Sequence, residues 1–374
     1  MHSKLIHLEI EGYKSFVPKQ TVRLEDITIF IGANGAGKSN LLSVFKMLGN
    51  LSTGGFQNFV STGGEASTFT HLGDLRNTIE LRLEIANNTF ENSYIVSFSP
   101  TQDNKLRIRS EEFNTRKLPD GSLRSELISE FSPESILLKD GYIEKNPVKS
   151  RVISSIIKSI RYYQFHDTSS NANVKKDSEL NTTRSLYSDG GNLSAILYGL
   201  KTNPEYFPYY QRIVDHIQLA YPSFKDFNLE PNLSNNRFNR LNFQDQSSPL
   251  DHAFGPHQMS DGSLRFCCLA TLLLLPPDII PKVIAIDEPE LGLHPAAIDL
   301  LASMMFTASE NAQVVIATQS PLLLDNFEPR HIRVIERQGA SSHVQEMDED
   351  SLHNWLETYT LGELFQKNLA GGKP

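Results

Sequence analysis

Apolar and polar residues alternate from Leu5 to Ile10, the chain turns through EGYKSF, and an extended pattern resumes at Thr21–Leu24. A period of two predicts half-buried strands. Ile27–Ile31 (ITIFI) is instead continuously apolar, as in a strand covered on both faces. It runs directly into GANGAGKSN, after which Leu41–Leu48 continues at helical spacing. Ile79–Ile85 and Tyr94–Phe98 predict an antiparallel pair joined by NNTFEN, with Lys105–Arg109 as a further strand. Thr53–Gly73, rich in Gly, Ser and Thr, reads as loop with little helix, and residues 166–190 are polar and loop-like. Pro147–Tyr163 places Val152, Ile153, Ile156, Ile157 and Ile160 on one helical face. Helices are expected near Asn192–Leu200 and Pro204–Ala220. The last third predicts a helix at Leu264–Leu275, a buried strand at Val283–Ile286, a helix at Ala296–Phe306 and a strand at Val314–Ala317. Another strand at Ile332–Ile335 and a helical end over residues 351–369 follow. No heptad pattern is sustained, so no long coiled-coil arm is expected.

Two motifs carry chemistry. Gly32-Ala33-Asn34-Gly35-Ala36-Gly37-Lys38-Ser39 fits G-x-x-x-x-G-K-[ST], preceded by a strand and followed by a helix that Asn40 continues. Its glycines let successive backbone N–H groups close around phosphate oxygens at the positive end of a helix. Lys38 is placed to neutralise the β- and γ-phosphates of ATP, and the Ser39 hydroxyl to ligate Mg²⁺. The bland reading, a chance glycine turn, fits poorly between that strand and that helix. The second motif is the buried run Val283–Ile286 ending in Asp287-Glu288-Pro289-Glu290. Asp287 would hold Mg²⁺ and Glu288 would polarise the attacking water. Acidic residues also merely mark strand ends, so this motif gains weight from the first.

Gln258-Met-Ser260-Asp261-Gly262-Ser-Leu-Arg265 lies ahead of the acidic strand and resembles the signature of ABC-type ATPases. Leu291-Gly-Leu-His294-Pro295 is similar to their D-loop, and Gln319 in VVIATQSP occupies the switch position. With EGYKSF, these features resemble the SMC/RecF/OLD branch of stand-alone bacterial ATPases. The resemblance implies an α/β P-loop NTPase of ABC type with an antiparallel β subdomain and a mainly helical insertion. It implies residues 1–120 and 236–374 as one discontinuous ATPase domain around a lid at 121–235. It also implies a homodimer sandwiching ATP, in which Ser260, Asp261 and Gly262 of one chain cover the γ-phosphate held by the other. Ser260 equally reads as a plain helix N-cap. Three departures stand out. Asp261 replaces a glycine. Arg265 stands where Gln is common, to support the γ-phosphate or pair with an acid. Gln319 replaces a histidine, so it can hydrogen-bond but not become an imidazolium.

Composition narrows the picture. The 374 residues carry a formal charge of −9, with 39% hydrophobic and 21% charged residues, which excludes global disorder and bulk coating of nucleic acid. At roughly 150 residues per domain the length suggests two or three domains. Cys267 and Cys268 are adjacent in an apolar run, so buried reduced thiols are expected. That run, Phe266–Leu275, is far short of the roughly 20 residues that span a bilayer. A cytoplasmic ATPase without membrane or fused nuclease is expected, acting in DNA repair or antiphage defence with a separate nuclease or toxin effector. Runner-up readings are a transport ATPase subunit, disfavoured by Asp261 and Gln319, and a non-hydrolysing scaffold, disfavoured by Asp287-Glu288. Weaker candidates are Gln57 for magnesium, against a solvated loop Gln, and Lys14 for nucleotide, against a surface Lys. Tyr13 and Phe16 read as core. Lys145, Lys149, Arg151, Lys158 and Arg161 form a patch for DNA or RNA, with a solvated helix face as the default. His294 is a candidate to face the partner subunit. His166, His252 and His257 show no metal-ligand spacing.

Overall fold

The computed structural model describes residues 3–118, 121–136, 154–180, 185–248, 252–347, 355 and 357–367. The chain divides into two units, Met1–Tyr162 with Glu328–Pro374, and Tyr163–Phe327.

In the first unit, β1 (Lys4–Glu11), β2 (Gln20–Arg23), β4 (Ile79–Ala86), β5 (Phe90–Pro100), β6 (Leu106–Lys117) and β7 (Leu123–Ser132) form an antiparallel sheet ordered β2-β1-β4-β5-β6-β7, and β3 (Ile27–Ile31) lies outside it. Alternation decides the faces: Leu8 lies opposite Leu83, and Leu83 opposite Tyr94, all fully buried. The other face is polar, with Glu84 bound to His7 and Arg82, each at 3.0 Å. One carboxylate breaks the pattern. Glu111, beside a register shift in β6, is fully buried and accepts from Tyr94 Oη (2.6 Å), the backbone N of Ile136 (2.9 Å) and Ser135 Oγ. Those bonds offset the cost of burying it.

β3 is buried at all five positions and pairs in parallel with the strand Ile332–Gln338, which pairs antiparallel with Ser341–Glu346. The helix α1 (Lys38–Thr53) buries Leu41, Leu42, Val44, Phe45, Met47, Leu48 and Leu51, and ends at Gly54 in the left-handed region, φ 71°. The loop expected over Thr53–Gly73 instead contains α2 (Phe56–Thr62) and α3 (Glu65–Phe69). The glycines punctuate these short helices, and burial of Phe56, Phe59, Val60 and Phe69 overrides their weak local propensity.

The helix expected over Pro147–Tyr163 is realised only in part. Residues 154–157 are helical, but Ile160–Tyr163 is a strand, and Lys145, Lys149, Arg151, Val152 and Ile153 lie outside the described residues. Ile156, Ile157 and Ile160 are buried regardless of that change.

The second unit holds a strand–helix–strand element. Val283–Asp287 and Gln313–Ala317 are parallel, residue for residue from Val283–Gln313 to Asp287–Ala317, and Pro295–Ser309 is the helix between them. Every residue of both strands is buried, as their continuous apolar sequences require. The helix Asp261–Leu273 packs against Pro295–Ser309 and Phe207–Ala220. Cys267 and Cys268 are free and buried within it. Among the described residues, no helix is long and apolar enough to cross a membrane.

Candidate active site

The phosphate loop is built by close backbone approach. Gly32, Gly35 and Gly37 have φ of 155°, 78° and 120°, and a Cβ at Gly32 would lie 2.3 Å from the carbonyl O of Ile335. At Gly37 it would lie 2.4 Å from Ser342 Oγ. Ser342 Oγ donates to the carbonyl O of Ala36 (2.5 Å) and lies 2.8 Å from Ser15 Oγ, which accepts from Asn40 Nδ2 (2.9 Å). Two serines from opposite ends of the chain thus fix the floor of the loop. Arg337 Nη1 donates to the carbonyl O of Gly35 (3.1 Å). Lys38 is buried, and its Nζ donates to the carbonyl oxygens of Gly32 (2.6 Å) and Ala33 (3.0 Å), which ties the ammonium to its own loop. No acidic residue occupies the first turn of α1 and no side chain caps it, so no negative side chain opposes an anion at its positive end. Asn34, Gly35 and Ser39 are exposed.

Lys14, the candidate from EGYKSF, is held by Ser43 Oγ on α1 (3.0 Å) and lies over the rings of Tyr13 and Phe69. Burial, then the neighbouring Lys46, lower its pKa. Tyr13 and Phe16 are core residues, fully buried. Gln57 lies on α2 and not in a loop, half-buried, and its Nε2 donates to the carbonyl oxygens of Pro133 (2.7 Å) and Leu106 (3.0 Å).

In the second unit, the acidic strand ends on a strained residue. Glu288 has φ 44°, in the left-handed region, while its N–H still donates to the carbonyl O of Ala317 (2.9 Å). Its Oε1 accepts from Gln319 Nε2 (3.2 Å). Asp287 is buried, and its carbonyl O contacts His166 Nε2 at 3.1 Å. Glu290, absent from the expected site, accepts the Thr318 hydroxyl at Oε1 (2.6 Å). Burial raises its pKa, and Glu288 adds to that rise.

Ser260 is the N-cap of the Asp261–Leu273 helix, its Oγ accepting from the backbone N of Ser263 (3.1 Å). The exposed Asp261 lies 3.8 Å from the buried ammonium of Lys175. Gly262 has no room for a side chain, since its Cβ would meet the carbonyl O of Gly292 at 2.4 Å. Arg265 is engaged by backbone carbonyls. Its Nε, Nη1 and Nη2 donate to the carbonyl oxygens of Phe165 (3.1 Å), Leu291 (3.0 Å) and His166 (3.0 Å). His294 caps the Pro295–Ser309 helix, accepting from the backbone N of Ala296 (3.3 Å). Arg161 spends Nη1 on the carbonyl oxygens of Lys158 and Ile160, at 2.7 and 2.9 Å.

Sequence reasoning missed Ser15, Ser342 and Arg337, whose roles depend on a fold that joins distant segments. It also missed Glu290 and Thr318, for which the D-E-P-E spacing and the residue before Gln319 were the available signals.

Solved structures sharing this architecture include SMC heads. The Smc head bound to the C-winged helix domain of ScpA matches with a TM-score of 0.55 at 14% identity, covering 94% of this chain and 99% of that one. A Smc head with an extended coiled coil, derived from Pyrococcus furiosus, matches with a TM-score of 0.55 at 13% identity, covering 95% and 99%. The fold is that of an ABC-type ATPase head, as the motif order implied. A protein-family profile described as "AAA domain, putative AbiEii toxin, Type IV TA system" matches residues 27–325, and the chain belongs to that family. Structural maintenance of chromosomes protein 1 of Schizosaccharomyces pombe is 26% identical over 252 residues, and RecF, the DNA replication and repair protein of Leptospira biflexa, 28% over 158. These alignments take in 62% and 41% of this chain but span only 20% and 39% of the two relatives.

Proposed function

We propose that the protein binds Mg-ATP and hydrolyses it slowly, as an ATP-driven dimeric switch. The observation that carries this reading is the Glu288 carboxylate, held at a strained strand end and engaged by Gln319 Nε2 at 3.2 Å. A base so placed polarises water, and Gln319 is the amide donor that orients the base or the water. Lys38 supplies the point charge for the β- and γ-phosphates, and the backbone N–H groups of residues 35–39 supply the cradle. Ser39 hydroxyl and Asp287 carboxylate are oxygen donors, the chemistry a hard cation such as Mg²⁺ takes. When bound, Mg²⁺ neutralises charge on the phosphates. Ser260, with the first-turn amide groups of the Asp261–Leu273 helix, is the surface offered to the γ-phosphate of a second copy.

The toxin–antitoxin system named for the family and the repair function named for RecF support a role in defence or DNA maintenance. The test is Mg-ATP turnover by the full chain and by Glu288→Gln, with light scattering at saturating ATP. Wild type should turn over ATP at a low rate, and Glu288→Gln should accumulate as an ATP-bound dimer. Absence of turnover in wild type sinks the hydrolytic reading, and a monomeric Glu288→Gln sinks the sandwich.

A further inference from the structure

Two carboxylates two residues apart, Glu288 and Glu290, each hold one of two consecutive side chains of the neighbouring strand end, Gln319 and Thr318. Their settings differ. Both residues are half-buried, but Oε2 of Glu290 is itself shut off from solvent, with no hydrogen-bond partner among the described residues. Thr318 is fully buried, gives its hydroxyl proton to Glu290 and accepts from the backbone N of Ser320 (2.9 Å). Its χ1 is therefore fixed from both sides, and with it the start of residue 319. Ser320 in turn caps the short helix Pro321–Leu324, accepting from the backbone N of Leu323 (3.3 Å), so the segment is held beyond Gln319 as well.

We propose that Glu290 is a positioning residue for the hydrolytic pair: through Thr318 it holds Gln319 in register with Glu288. A largely desolvated carboxyl is a costly way to satisfy one hydroxyl, and a nonpolar pair would serve packing equally well; the backbone N–H of Gln319 also favours its charged form. What the pair adds is a directed hydrogen bond beside the water-activating carboxylate. Burial also disfavours the charged form of Glu290, which limits a second negative charge next to Glu288 and an incoming phosphate.

This inference rests on the ATPase reading, and its test separates the two. Glu290→Ala and Thr318→Val should each lower kcat for Mg-ATP about tenfold or more, with KM and the affinity for a fluorescent ATP analogue within about twofold of wild type. Glu290→Gln, which keeps an acceptor for the Thr318 hydroxyl, should recover most of that loss. Equal losses in kcat and affinity, kcat within twofold of wild type in both variants, or no recovery in Glu290→Gln would overturn the proposal. Should wild type turn over no ATP, the ATPase reading fails on its own. Hydrogen–deuterium exchange then decides this one: residues 313–322 should exchange faster in Glu290→Ala than in Glu290→Gln, and equal rates would overturn it.

Discussion

The phosphate loop and the acidic strand end are assembled by opposite means. The loop is a backbone structure: three glycines at positive φ, floored by Ser342 and Ser15, with the one charged side chain, Lys38, folded onto its own carbonyls. The strand end is a side-chain structure: Glu288, although its own φ is 44°, and Glu290, Thr318 and Gln319 act through the polar atoms of their side chains. The backbone site is vulnerable to a methyl group at Gly37, and the side-chain site to the exchange of one oxygen of the Glu288 carboxylate.

The largest effect expected is that of Lys38→Ala, which removes the loop's cation and should weaken ATP binding about 100-fold or more in a fluorescence titration. An unchanged affinity would remove Lys38 from the phosphate site. Glu288→Gln should cut turnover by about 100-fold while leaving ATP affinity near wild type, because a carboxamide cannot accept the proton. Parallel losses of both would make the strand end a binding element and erase the contrast. Gly37→Ala should destabilise the fold by about 1–3 kcal/mol in chemical denaturation, from strain at φ 120° and collision with Ser342. Gly35→Ala should cost only about 1 kcal/mol, since nothing lies within 4 Å of its Cβ and only the φ of 78° opposes it. Equal costs would mean that backbone conformation, and not the serine floor, sets the loop. The smallest effect is expected from replacing Lys158 and Arg161 together. The salt slope of any DNA binding should change by less than about one, because Arg161 is already engaged with backbone carbonyls. A larger change would restore the basic patch.

The nucleotide motifs were legible because each is a short contiguous run whose residue types follow from local demands. A glycine loop must follow a buried strand and precede a helix, and ITIFI-GANGAGKS states that order in sequence. The same holds for the strands Val283–Asp287 and Gln313–Ala317, whose apolar runs reflect burial on both faces. Side chains whose partners come from elsewhere were not legible. Gln57 looked like a loop residue, yet Leu106 and Pro133 claim its amide. Arg265 looked like a partner for phosphate or acid, yet three carbonyls from two other segments use its guanidinium.

By itself, then, the sequence determined the phosphate loop, the acidic strand and the order that joins them, since backbone geometry and burial act over a few residues. Only the tertiary structure decided what holds these elements. Ser15 and Ser342 are 327 residues apart, and Glu290 reaches Thr318 across the parallel strand pair. Hydrogen-bond partners of that kind are set by which segments the fold brings together, and no local pattern of residues encodes them.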